Sequence, residues 1–224
     1  MATLPSFDPR QVPVRAVDLH LPKPHPDSLT PQAIVARFAR QHVWTPEFRK
    51  EAKFIDRAPA HASVLIPLVQ RERLHVLLTL RPTHMNSHSG QIAFPGGKAD
   101  LEDVDAVATA LREAQEEVGL EPQFVEVLGT LPVYTTGSAF IVTPVVALVQ
   151  PSVHLQVNAD EVADVFEVPL DFLMDPANHR HHVVDWAGEQ RSWLSMPYSD
   201  GGTERFIWGA TAGMLRNFYR FLLD

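Results

Sequence analysis

Strand-like runs dominate the hydrophobic pattern of this 224-residue chain, and helical spacing is confined to a few stretches. The segment ASVLIPLVQRERLHVLLTLRP, Ala62 to Pro82, reads as two strands around a polar turn at Gln70 to Arg73. Further strands are expected near 124–134 and 139–149, in VADVFEVPL (Val162 to Leu170), and near 181–186, 191–197 and 204–208. Among them, DVDAVATALREAQEEVGL (Asp103 to Leu120) has helical spacing, with Asp105 as N-cap and Gly119 as the C-terminal stop. LDFLM, Leu170 to Met174, predicts a short helix. PQAIVARFARQ, from Pro31, predicts another, with Thr30 as N-cap and Ile34, Val35 and Phe38 on one face. The last helix, GATAGMLRNFYRFLLD, puts Met214, Leu215, Phe218, Phe221 and Leu222 on one face, the pattern of a helix docked on a sheet. THMNSHSGQIAFPGG, Thr83 to Gly97, reads as a loop. Residues 1–29 hold prolines at 5, 9, 13, 22, 24 and 26 without a hydrophobic period, and read as an extended N-terminal arm before a domain at 30–224. Together these elements predict an α/β (α+β) fold, a mixed β-sheet covered by helices.

Composition narrows the setting. Hydrophobic residues make up 45% of the chain, enough for one sizeable core. No apolar run approaches the roughly 20 residues that cross a bilayer. The start, MATLPSFDPRQ, lacks the basic and apolar regions of a secretory signal. There is no cysteine, which excludes disulfides, thiolate metal sites and a cysteine nucleophile. The expectation is a soluble, cytoplasmic protein with no membrane partner. A balance of 19 Lys and Arg against 27 Asp and Glu, net −8, argues against nucleic acid as a partner. A phosphorylated small molecule, held by a metal and a few local cations, is still allowed.

Three of the acidic residues stand close together. REAQEEVGL, Arg112 to Leu120, gathers Glu113, Glu116 and Glu117. At about 100° per residue, Glu116 lies about 60° to one side of Glu113 and Glu117 about 40° to the other. Leu111, Ala114 and Val118 fall on the other side at core spacing, so the acidic face is expected to look outward. Like charges four apart cost a few tenths of a kcal/mol, and the last helical turn favours cations. Two readings stay open: a solvated acidic face partnered by Arg112, or half of a site completed by a divalent cation such as magnesium, which prefers hard oxygen ligands. Upstream, FPGGK supplies Gly96 and Gly97, whose backbone can come close to a ligand, and the cation Lys98. No Ser or Thr follows Lys98, so this is not a P-loop.

Glycine loop, helix and REAQEEVGL together resemble the Nudix box, G-x5-E-x7-R-E-U-x-E-E-x-G-U, with U an aliphatic residue. Arg112, Glu113, Glu116, Glu117, Gly119 and Leu120 fit its second half. The first half departs: counting forward from Gly97 reaches Asp103 at the glutamate position, and counting back from Arg112 reaches Val104. Asp103 or Asp105 is the expected substitute. LLTLRPTHMNSHSGQIAFPGG, Leu77 to Gly97, is similar to the segment before the box in coenzyme A pyrophosphatases, through Leu77, Leu78, Thr79, Arg81, Gly90, Phe94, Pro95, Gly96 and Gly97. EVADVFEVPL and WGATAGML resemble downstream segments of that branch, so the likeness covers roughly residues 60 to 218.

The resemblance implies the Nudix α/β/α sandwich and hydrolysis of a diphosphate, with coenzyme A or a derivative as substrate and 3′,5′-ADP and 4′-phosphopantetheine as products. It implies Mg²⁺ or Mn²⁺ held by Glu113, Glu116, Glu117 and Gly97, with Glu113 and Glu116 catalytic and Glu161 a weaker candidate for the base. Arg81, His88, Gly96 and Lys98 are the expected substrate contacts. The branch usually carries a basic residue where this chain has Asn86 or Ser87, and His84, His88 or Arg81 would stand in for it. The alternatives are another nucleoside diphosphate derivative such as ADP-ribose or NADH, or a non-catalytic ligand-binding domain. A small molecule is the expected partner, and a homodimer is left open.

Overall fold

A computed structural model describes residues 8–40, 43–53, 55–83, 90–186 and 189–223. The elements in chain order are β1 (Val14–Val17), α1 (Pro31–Ala39), β2 (Ala60–Gln70), β3 (Leu74–Leu80), β4 (Ile92–Ala93), β5 (Gly96–Lys98), α2 (Ala106–Val118), β6 (Val125–Thr130), β7 (Tyr134–Thr135) and β8 (Phe140–Val149). They continue with β9 (Asp164–Pro169), α3 (Leu170–Leu173), β10 (Arg180–Trp186), β11 (Glu189–Asp200), β12 (Thr203–Trp208) and α4 (Gly209–Leu223).

The central sheet is mixed, as expected. Its spine is the parallel pair β2 and β8, in register from Ala60 with Phe140 to Val69 with Val149. Every other pairing in it is antiparallel: β3 on the end of β2, β5 on its beginning, β4 and β9 on β3, β6 and β7 on β8. Side chains alternate between faces along a strand, and here the two sets feed separate cores. Leu65 and Val69 of β2, Leu77 of β3 and Val145, Ala147 and Val149 of β8 pack with Ala110, Ala114 and Val118 of α2. Ile66 and Leu68, Val76 and Leu78, Val146 and Leu148 face the opposite way, toward Met214, Leu215, Phe218, Phe221 and Leu222 of α4. Both faces of β2 and β8 are therefore apolar, which is why their sequence runs are almost continuously hydrophobic. Helices on both faces make the α/β/α sandwich.

The C-terminal strand pieces do not extend this sheet. They form a second, antiparallel sheet in the order β1, β10, β11, β12, against which α4 also packs. Its edge, β1, comes from the proline-rich stretch and pairs Val14 with His182 and Val17 with Arg180. Three of its four residues are exposed, so no hydrophobic period marks it. In α1, Thr30 caps the helix and Ile34 is fully buried, but Val35, expected on the apolar face, is 37% exposed. Val35 lies 100° round the helix from Ile34, and only the side carrying Ile34 and Phe38 meets the core. No helix among the described residues is long and apolar enough to cross a membrane.

Candidate active site

The Asp105 carboxylate accepts from the Ala108 N–H at 2.8 Å and starts α2. Gly119 ends it in the left-handed conformation, φ 68°, with its N–H bonded to the Gln115 carbonyl at 2.9 Å. Loop residues 156–158 satisfy the last helical carbonyls: Gln156 N–H donates to Val118 and Asn158 N–H to Glu117, both at 2.9 Å. The helix face that carries the glutamates is thus fixed at both ends.

The expected outward-looking acidic face is only partly found. Glu116 points to solvent, Glu113 is half-buried, and Glu117 is 5% exposed. Glu117 lies only about 60° from Ala114 on the helix, and its carboxylate turns toward the backbone of β5. The Gly96 N–H donates to Glu117 Oε2 at 3.1 Å, and Arg81 Nη1 stands 3.9 Å from Oε1. Gly96 has φ 153°, and a Cβ there would run into the backbone of Ser63 and Val64. A Cβ on Gly97 would run into the Glu113 carboxylate. The glycine pair therefore brings β5 against both β2 and the acidic helix.

Arg112 gathers the rest. Its Nε and Nη2 grip Asp103 at 3.0 and 2.9 Å, its Nη1 donates to Glu113 at 3.0 Å and Glu116 at 2.9 Å, and Nη2 also reaches the Lys98 carbonyl at 3.1 Å. This bond to Arg112 holds Asp103 well below the usual carboxylate range. Burial does the reverse to the other two. It raises Glu113 despite Arg112, and pushes Glu117 up to about 7 against the Gly96 bond and Arg81. The charges of Glu113 and Glu161 raise Glu117 further, and Glu161 also bears on Glu113. Glu161 thus belongs electrostatically to the cluster.

A model of the NUDIX domain matches residues 59–187. The protein belongs to the Nudix family. Relatives named uncharacterized Nudix hydrolase NudL, from Enterobacter sp. and Citrobacter koseri, are each 45% identical over 158 residues, which is 69% of this chain and 79% of theirs. Among solved structures, a C. elegans Ap4A hydrolase binary complex aligns with TM-score 0.47 and 18% identity, over 73% of this chain and 98% of that one.

The Nudix box can now be placed residue by residue. Asp103, not Asp105, takes the acidic position opposite Arg112, and Asp105 is the helix cap. The forward count from Gly97 carried that signal. Arg81, Gly96, Gly97, Glu113 and Glu117 are brought together, while Lys98 lies at the rim with its side chain exposed and its carbonyl on Arg112. His84, Asn86, Ser87 and His88 fall outside the described residues.

Among the described residues no three His, Asp or Glu side chains converge on one point as a finished metal cage. Arg112 takes up Glu113 and Glu116 instead. The chemistry of the donors nonetheless fits a hard divalent cation: the side chains offer carboxylate oxygens, and Glu113 and Glu117 are disfavoured in their charged form by burial and by neighbouring carboxylates.

Proposed function

We propose that this Nudix hydrolase cleaves the diphosphate of coenzyme A or its derivatives, releasing 3′,5′-ADP and 4′-phosphopantetheine. The observation that carries hydrolysis is the convergence of Glu113 and Glu117 on the Gly96–Gly97 backbone. What favours coenzyme A is the segment Leu77 to Gly97. Within it, β3 and β4 pair Thr79 with Ala93 and Leu80 with Ile92 shortly before that backbone.

In this reading Glu113, Glu116 and Glu117, with the Gly97 backbone, hold Mg²⁺ or Mn²⁺. The ion supplies positive charge beside the diphosphate oxygens. The chain's own groups do the rest. Arg81, partly buried beside Glu117, neutralises phosphate charge from within, while the more exposed Lys98 does so from the rim. His88 is the further contact proposed from the sequence. Arg112 keeps Glu113 and Glu116 oriented through Asp103. A carboxylate oxygen of Glu113 takes the proton of the attacking water, because burial raises its affinity for protons, with Glu116 as the other candidate. Glu161 bears on the same charge and completes the set. Water adds across one P–O–P bond, and two phosphate monoesters leave.

The test is a panel of coenzyme A, ADP-ribose, NADH and deoxynucleoside triphosphates, with Mg²⁺ or Mn²⁺ and products separated by chromatography. Coenzyme A is expected to lead in kcat/KM by about tenfold or more. Cleavage of ADP-ribose with coenzyme A left intact overturns the substrate reading. No cleavage of any member overturns hydrolysis of these substrates.

A further inference from the structure

Two threonines far apart in sequence converge on the two-residue strand β4. Thr79, in β3, donates its hydroxyl to the Ala93 carbonyl at 3.2 Å. Thr211, in the first turn of α4, donates its hydroxyl to the Ile92 carbonyl at 3.0 Å. Both are buried, 2% and 7% exposed. The chain then runs through Phe94, 2% exposed in the core shared with α4, and Pro95, whose carbonyl accepts from the Leu65 N–H at 2.8 Å. The next group along is the Gly96 N–H on Glu117, followed by Gly97 against Glu113. A strand of two residues has too few ladder bonds to fix its own position, so side-chain bonds set the path of the backbone that follows.

We propose that Thr79 and Thr211 are positioning residues for the active site: their hydroxyls clamp β4 from two sides and so set where the Gly96 and Gly97 backbone meets the carboxylates of α2. This rests on the hydrolase reading for its effect on rate. It accounts for two sequence segments that the site itself does not use, LLT in β3 and WGATAGML at the head of α4. Each contributes one hydroxyl to the same short strand. The clamp also ties α4, on one face of the central sheet, to α2 on the other.

The experiment compares Thr211→Val and Thr79→Val, which lose the hydroxyl, with Thr211→Ser and Thr79→Ser, which keep it, in the full chain. Ser195→Ala, which removes a buried hydroxyl bonded to His182 in the second sheet, is the control for general destabilisation. Two readouts are taken. The first is the amide resonance and hydrogen exchange of Gly96 in metal-free protein, which needs no substrate. The second is kcat and KM on whichever panel member the parent cleaves. The valine variants are expected to shift the Gly96 resonance and speed its exchange about tenfold or more. They are also expected to lower kcat about tenfold or more, with KM within about threefold. The serine variants should restore both, and Ser195→Ala should move neither. The double valine variant should fall short of the product of the single effects, because both bonds hold one strand. A Gly96 amide unchanged in the double valine variant overturns the clamp, and so does an equal response to Ser195→Ala. If the parent cleaves nothing in the panel, the hydrolase reading fails while the Gly96 amide still decides the clamp. If a valine variant does not fold, the serine variants and the other threonine decide it: serine variants that shift the Gly96 amide as strongly as loss of the hydroxyl overturn it.

Discussion

Gly97 and Glu117 carry the sharpest consequences at the scale of single residues. Gly97→Ala places a methyl where the Glu113 carboxylate lies. Because small misplacements near the chemistry are expensive, kcat/KM should fall about a hundredfold while circular dichroism stays unchanged. Parent-like activity in this variant would rule out the close approach of β5 to α2 as a requirement. Glu117 should couple stability to pH. Between the ordinary carboxylate value and about 7, the folded protein keeps a proton on Glu117 that the unfolded chain has lost. The contribution of Glu117 to stability of the metal-free protein therefore falls as pH rises through that window, by about 3 kcal/mol at most. Glu117→Gln should remove that dependence, raise the metal-free melting temperature at pH 8 and abolish hydrolysis. Melting curves at pH 5 and 8 with chelator check it, and a variant less stable than the parent at pH 8 would contradict it. Sequence alone could place three carboxylates on one helical face. It could not reveal that one is buried, since that depends on the glycine strand packed beside it.

At the scale of elements, α2 shows why the box was half legible. Its caps and apolar face follow from local rules, and Asp105 and Gly119 stand where those rules put them. The partner of Arg112 depends on how the preceding loop folds back, and two aspartates two positions apart were both candidates, with only the forward count from Gly97 pointing to Asp103. Their roles separate cleanly. Asp105→Ala should cost about 1 kcal/mol of stability in urea unfolding and leave kcat within about twofold, as expected for a lost cap. Asp103→Ala should do the opposite, lowering kcat about tenfold or more with a smaller stability loss, because Arg112 loses the pair that orients it. Equal effects on both quantities from the two variants would refute this division. The strands β4 and β5 were read as loop because two or three residues are too few to show a period. They exist only because β3 and β2 offer them edges.

For the whole molecule, alternation and helical spacing reached the mixed sheet and its two covering helices, because both report burial directly. The second sheet stayed hidden, since pairing partners are not written in any one strand. Leu194, Met196 and Ile207 of that sheet share the apolar core of α4, and a buried polar network lies beside this join. Arg216 of α4, 2% exposed, holds Glu47 at 2.7 Å, Asp18 at 2.8 Å and His179 Nδ1 at 2.8 Å, and His181 meets Asp18 at 2.7 Å. His179 donates from Nε2 to the Leu173 carbonyl, so its Nδ1 must accept from Arg216 and the ring must stay neutral. Burial and then Arg216 push its pKa down to about 4. The unfolded chain takes up a proton at His179 below about 6.5 that the folded chain refuses until about 4. The contribution of His179 to stability should therefore drop by roughly 3 kcal/mol as pH falls through that window, opposite in sign to that of Glu117. His179→Gln should flatten this part of the urea-unfolding profile between pH 7 and 4.5, and an unchanged profile would refute the neutral assignment. The parallel spine of the central sheet has a separate, temporal consequence. Each residue of β2 from Ala60 to Val69 waits for a β8 partner eighty positions later, as Ala60 does for Phe140. Contacts of such long sequence separation form slowly. Every glycine and glutamate of the Nudix box lies inside that interval, so during synthesis the box is complete as a string of residues well before the sheet that shapes it exists.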